Sequence, residues 1–247
     1  MSRMKFMNTE IDNLTMEEVL LKIKSLIKEE KNSYVVTPNV DHIVKLETDE
    51  CLQKIYKEAN LILADGKPLI WISKIYRHPI KEKVSGADLF PKLCKLAAEN
   101  GYKMFFLGAA DGIAAKAASK LVLKYPGLQV ADTYSPPFGF EKDENEINKI
   151  LQRIREANIH ILIVGLGCPK QEKFIYKYRN IMNVPISLGL GACFDFQAEA
   201  IKRAPRWMCD CGFEWLYRIT QEPNRMIKRY LIEDKRIISL VWKYRKV

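Results

Sequence analysis

The segment Ala64-Asp65-Gly66-Lys67-Pro68 puts a carboxylate where the apolar run Leu61-Ile62-Leu63 gives way to a glycine and a proline. The run reads as a buried strand, and Leu69-Ile70-Trp71-Ile72 beyond it reads as a helix or buried turn. In open α/β sheets, ligands bind outside the carboxyl ends of strands, so Asp65 is the foremost candidate for an acid or base. A helix cap is the competing reading, because Asp accepts the free amide hydrogens of a first helical turn. A second apolar run ends in Thr37-Pro38-Asn39-Val40-Asp41-His42. If the two strands are adjacent, Thr37, Asn39 and Asp65 converge on one crevice. His42 has an ionisable ring but falls on the following helix, and His78 and His160 have no partner pattern.

Two further strand ends run into glycine: Leu107-Gly108-Ala109-Ala110-Asp111-Gly112 and Gly165-Leu166-Gly167-Cys168-Pro169-Lys170-Gln171-Glu172. Glycine allows close backbone approach, and a helix N-terminus offers free amides to anionic groups. Neither segment has the dinucleotide-binding fingerprint, and neither is a P-loop. Gln171 opens a helix at a strand end, where its amide can both donate and accept. No Asp-x-Asp occurs, so the usual carboxylate pair for a metal-bound nucleotide diphosphate is missing. Neither a metal nor another cofactor is therefore expected. A departing diphosphate would be neutralised by side chains, for which Arg218, Arg225, Lys228 and Arg229 are candidates. Pro223 interrupts their helical spacing, so tertiary folding must bring them together.

The elements that would position these groups alternate. Apolar strand-like runs cover 34–37, 61–64, 103–107, 129–133, 159–164 and 185–188, with amphipathic stretches at about 40–58, 87–99, 112–124, 143–157 and 170–180. Another amphipathic helix is expected over 16–30. Strands alternating with helices of this size predict an α/β fold with a Rossmann-like, doubly wound, mostly parallel sheet. Tyr134-Ser135-Pro136-Pro137-Phe138-Gly139 reads as a loop, either covering a site or rigidly joining a strand to a helix. After residue 200 the strand signals almost vanish. The expected organisation is a catalytic core over 1–200 and a basic, aromatic helical appendage over 201–247.

The appendage carries twelve Lys and Arg against five Asp and Glu, which is +7 of the chain's net +10. Basic charge interleaved with aromatics suits an anionic membrane interface, whereas a helical cap with solvated charges is the plainer alternative. No apolar run approaches the roughly 20 residues of a membrane span, and the first ten residues lack a signal-peptide core. The six cysteines are scattered without a zinc or redox spacing, as expected of a reduced, cytosolic protein.

Taken in order, Thr37-Pro38-Asn39, Ala64-Asp65-Gly66, Val84-Ser85-Gly86-Ala87-Asp88, Leu107-Gly108, Gly167-Cys168-Pro169-Lys170-Gln171-Glu172, Gly191-Ala192-Cys193-Phe194-Asp195 and Arg203-Ala204-Pro205 form a series. It continues through Gly212-Phe213-Glu214-Trp215-Leu216-Tyr217-Arg218, Glu222-Pro223 and Arg229-Tyr230. Over about residues 30–232 the series resembles the WecG/TagA/CpsF glycosyltransferase family (glycosyltransferase family 26), nearest its TagA-like N-acetylmannosaminyltransferases. The resemblance implies inverting transfer of N-acetylmannosamine from its UDP conjugate to the 4-hydroxyl of N-acetylglucosamine on undecaprenyl diphosphate, in the linkage unit of wall teichoic acid. It implies Asp65 as general base, and Thr37 and Asn39 as positioners of sugar hydroxyls or the acetamido group. Gln171 would contact the donor sugar or diphosphate, and Asp195 the ribose or uracil; Gly108 stands with these substrate-binding positions. Arg218 and Arg225 would balance the diphosphate, with Lys228 or Arg229 as the third tail cation. Lys83 stands where the family pattern has arginine, which keeps the charge but loses the bidentate fork.

The same resemblance makes the tail a mobile appendage that completes the site on the inner face of the bacterial membrane. The implied partners are a UDP-sugar donor, a lipid-linked acceptor and an anionic membrane surface, with no nucleic acid; a homo-oligomer is compatible with the sequence. The implied location is cytoplasmic and peripheral. One alternative is a family member using another UDP-sugar, such as N-acetylmannosaminuronic acid or a hexose. Another is a non-catalytic protein binding nucleic acid or a membrane surface.

Overall fold

The computed structural model describes residues 3–245, with the side chains of Arg225 and Leu231 outside the description. The chain opens with an antiparallel hairpin, β1 (Arg3–Phe6) and β2 (Thr9–Asp12), that hydrophobic patterning did not announce. Its strands are only four residues each and bury Phe6 and Ile11, and the Arg3 guanidinium ties them by donating twice to the Asp12 carboxylate, each at 2.9 Å. Asp12 also accepts from the Ile62 amide at 2.9 Å, so the hairpin is tied to the edge of the main sheet.

Helix α1 (Met16–Glu29) starts in a reciprocal cap between Thr15 and Glu18 and buries Val19, Ile23, Leu26 and Ile27 on one stripe. From there strands and helices alternate. β3 (Ser33–Val36) leads into α2 (Val40–Lys45) and α3 (Glu50–Glu58), and β4 (Leu61–Ile62) into α4 (Lys67–Ile75) and α5 (Gly86–Asn100). β5 (Lys103–Gly108) leads into α6 (Ile113–Lys124), and β6 (Gln129–Tyr134) into α7 (Glu144–Glu156). β7 (Ile161–Gly165) leads into α8 (Lys170–Met182), and β8 (Ile186–Gly189) into the short α9 (Cys193–Gln197). The single helix expected over 40–58 is two. The Asp49 carboxylate accepts from the Leu52 amide at 3.0 Å and starts α3 afresh, as short acidic side chains do when they compete with the helical ladder.

β3 to β8 form one parallel sheet in the order β4-β3-β8-β7-β5-β6. Alternate residues enter two core layers. Tyr34 and Val36 pack with Ile43, Ile55 and Phe174 on one face, while Val35 packs with Val19, Leu89 and Leu93 on the other. This is the doubly wound, Rossmann-like α/β arrangement the alternation predicts. The chain leaving β3 turns toward the β4 edge and the chain leaving β5 toward the β6 edge. The divergence opens a crevice over the carboxyl ends of the central strands.

Beyond α9 come α10 (Arg206–Asp210), α11 (Glu214–Gln221) and α12 (Pro223–Ile227), then a wide helical turn (Lys228–Glu233) and α13 (Ile237–Lys243). The break expected at Pro223 is present, with the proline opening α12, where its missing N–H costs nothing. The segment returns to the sheet domain. Met226 and Leu240 are buried, the Tyr76 hydroxyl donates to the Val241 carbonyl at 3.0 Å, and Lys243 and Tyr244 both reach Glu47. Among the described residues, no helix is long and apolar enough to cross a membrane.

Candidate active site

The β4 ladder continues past its last paired residue. The Leu63 amide donates to the Val36 carbonyl at 2.9 Å and the Asp65 amide to the Pro38 carbonyl at 2.8 Å. Asp65 is thus fixed at the mouth of the crevice by its own backbone. It is not a helix cap: α4 begins after Gly66 with no side-chain cap. Its carboxylate receives no hydrogen bond from the described residues and opens into a cleft of about 760 Å³. Partly open to that cleft and enclosed elsewhere, the carboxyl is pushed up to about 6 by burial and then by the nearby Glu214 carboxylate. Lys83, His42 and Arg218 pull the other way.

The expected neighbours gather around it. Thr37, Asn39, Lys83, Gln171, Asp195, Arg218, Lys228 and Arg229 all line the same cleft. Several already serve the fold. The Thr37 hydroxyl donates to the Gly189 carbonyl at 3.1 Å, joining the ends of β3 and β8. Asn39 Oδ1 caps α2 through the Asp41 amide at 3.1 Å and also accepts from Arg229 at 3.1 Å. Gln171, buried, donates to Glu172 at 2.8 Å and accepts from the Gly191 amide at 3.1 Å, which fixes the loop after β8.

His42 closes the network, with Nδ1 2.9 Å from Asn39 Oδ1 and Nε2 3.3 Å from Glu172 Oε1. Burial disfavours the charged ring, but Cys168 and Glu172 outweigh it and raise His42 to about 10. The ring is therefore a charged structural tie rather than a base poised at neutral pH.

Two expected positions fall outside this group. Gly108 does not line the cleft. A methyl group there would sit 2.4 Å from the Gly165 carbonyl oxygen at a backbone φ of +122°, so its contribution is close packing of the β5 and β7 ends. The side chain of Arg225, on α12, lies outside the described residues.

The cations come from two sources. Lys83 belongs to the sheet domain and pairs with Asp88 at 2.9 Å; Asp88 also accepts from Ser85 and from Arg203, each at 2.6 Å. Burial alone would raise Asp88, but Ser85 and Lys83 bring it down to about 2. Arg218, Lys228 and Arg229 arrive from the C-terminal segment, and the Arg218 guanidinium lies 6.0 Å from the Phe196 ring. Residue types and spacing alone did not single out Asp41, Lys45, Cys168, Glu214 or Asp234, which also line the cleft. Asp41, Cys168 and Glu214 did stand in quoted runs, Thr-Pro-Asn-Val-Asp-His, Gly-Cys-Pro-Lys-Gln-Glu and Gly-Phe-Glu-Trp, but without a role of their own. Chemically, the arrangement offers an uncommitted carboxylate with a near-neutral pKa, faced by cations that can receive a phosphate leaving group.

Comparison with known proteins sharpens this. Residues 4–247 match the Glycosyl transferase WecG/TagA/CpsF family along their whole length. The chain belongs to that family. Named relatives agree. A Bacillus subtilis protein named N-acetylglucosaminyldiphosphoundecaprenol N-acetyl-beta-D-mannosaminyltransferase is 32% identical, over 76% of this chain and 70% of its own length. Proteins of the same name from Bacillus spizizenii (29% identical, 89% of this chain, 82% of the relative) and Staphylococcus aureus (26%, 91% and 87%) also match.

Proposed function

We propose that this chain transfers N-acetylmannosamine from UDP-N-acetylmannosamine to the 4-hydroxyl of N-acetylglucosamine on undecaprenyl diphosphate, inverting the anomeric centre. The observation that carries the reading is Asp65, an unpaired carboxylate inside a cleft whose cations come from both the sheet domain and the C-terminal segment. As general base, Asp65 takes the acceptor proton while the hydroxyl oxygen attacks the anomeric carbon. The carbon–oxygen bond to UDP breaks on the opposite face. A near-neutral base suits this step, because the hydroxyl becomes acidic only as the new bond forms.

Lys83, Arg218, Lys228 and Arg229 neutralise the departing diphosphate without a metal. Thr37 and Asn39 present the ends of β3 to the sugar, and Gln171 holds the Gly191 loop against it. Asp195 contacts the nucleoside. Residues 1–200 act as the catalytic core, while residues 201–247 act as an appendage that completes the site and lies on the inner membrane face. Trp207 and Trp242, 62% and 68% exposed, give that contact its apolar part. The acidic-sugar alternative calls for an extra cation near Gln171, but Lys170 pairs with Glu141 and does not line the cleft.

A panel of UDP-sugars with the lipid-linked acceptor tests the assignment. UDP-N-acetylmannosamine should turn over at least ten-fold faster than UDP-glucose or the uronic acid donor. Preference for either of those would replace the donor assignment.

A further inference from the structure

Beside Asn39, the cleft wall carries a set of donor atoms that glycosyl transfer does not require. Asp41, His42 and Cys168 each offer a ligand atom, and these atoms lie within 4.8 Å of one another. Helix α2 supplies the first two and the β7–α8 loop supplies Cys168, while the first turn of α8 sets Glu172 against the imidazole. We propose that this wall binds a thiophilic divalent cation, Zn²⁺ foremost, through Cys168 Sγ, the His42 ring and the Asp41 carboxylate, with Glu172, which lies outside that 4.8 Å group, moving in as the fourth ligand.

The donor chemistry selects the ion. A thiolate with an imidazole and carboxylates suits zinc, whereas magnesium and calcium take oxygen donors. The His42 ring is held with Nδ1 2.9 Å from Asn39 Oδ1 and Nε2 turned toward Glu172, and an arriving ion must displace the Nε2 proton that the charged ring shares with Glu172. Glu172 is 1% exposed, and its Oε2 has no partner even though Oε1 accepts from Gln171. Buried acceptors are normally satisfied, and a cation between Glu172 and His42 would satisfy this one. Lys45 and Arg229 approach Asp41 through Oδ2, at 2.8 and 3.7 Å, so Oδ1 is open for coordination.

Tetrahedral zinc sets its donors roughly 3.3–3.8 Å apart, so the shell must contract by about 1 Å. Cys168 and Asp41 both line the cleft, which provides the entry path. The ion would engage Asp41, on which Arg229 of the C-terminal segment leans at 3.7 Å.

Full-length protein stripped with EDTA, in a Cys51→Ser/Cys211→Ser background that removes the two exposed thiols, is titrated with Co²⁺ as the zinc probe. One equivalent should give a thiolate-to-cobalt charge-transfer band and tetrahedral visible bands, both erased by Zn²⁺. Cys168→Ser should lose the charge-transfer band, and His42→Gln should bind cobalt at least ten-fold more weakly. The unmutated chain gives a second measurement. Zn²⁺ should slow alkylation of Cys168 by iodoacetamide at least ten-fold, with Cys51 and Cys211 unaffected and EDTA restoring the rate. An unchanged cobalt spectrum in Cys168→Ser, or no protection of Cys168 by Zn²⁺, overturns the site. Both readouts are free of turnover, so they stand apart from the identity of the transferred sugar.

Discussion

On the crevice floor, polar side chains are held by the fold: Thr37 by Gly189, Gln171 by Gly191 and Glu172, and Asn39 by the first turn of α2. The C-terminal segment is built differently. Helix α11 buries no residue, α10, α11 and α13 begin without side-chain caps, and Ile238 and Trp242 are each 68% exposed. The floor is therefore ordered in advance of any ligand. The segment brings cations and apolar surface but little packing of its own, so its position depends on what it touches. Asp65 belongs to the floor by backbone and to neither region by side chain. That leaves its carboxylate without a hydrogen bond from the described residues.

The contrast can be broken at several points. The largest effect should come from deleting residues 201–247. The core should keep its circular-dichroism spectrum while turnover falls by about 10³ or more, since several charge-stabilising groups leave together. Near-full activity in that truncation would remove the appendage from the mechanism. Arg218→Ala should lower turnover by roughly 10–10² with the melting temperature unchanged, because the residue sits on a helix with no buried face.

Single-residue stability separates the two regions next. Gly108→Ala forces a methyl group against Gly165 at positive φ and should cost on the order of 1–3 kcal/mol in chemical denaturation. Ile238→Ser should stay within about 0.5 kcal/mol while weakening binding to anionic vesicles. The smallest effect concerns pH. With Asp65 at about 6, kcat/KM should rise from acid pH as the carboxylate loses its proton, then level off above neutrality. Glu214→Gln removes a neighbouring negative charge that raises Asp65, so the acid limb should move to lower pH. A limb moving upward would reverse the assigned electrostatics.

The central strands were legible because they are buried on both faces and read as unbroken apolar runs, such as Ile161 to Val164. The β1–β2 hairpin was not, since its four-residue strands, fixed by buried Phe6 and Ile11 and the Arg3–Asp12 fork, are too short to give a periodic signal. Thr37, Asn39, Asp65 and Gln171 could be read as strand-end residues from local context alone. Lys45 and Asp234 could not, because only the packing of α2 and the returning C-terminal segment brings them to the cleft. Gly108 shows the limit of motif reading: a glycine at a strand end served backbone packing and not the cleft.

The measurement that bears most directly on the account is a parallel assay of sugar transfer and UDP affinity for Asp65→Asn. The expected result is turnover lower by about 10²–10⁴ with UDP binding changed less than two-fold, because only the proton acceptor is lost. Transfer at the unmutated rate, or a loss of UDP affinity that accounts for the whole defect, would contradict Asp65 as the base.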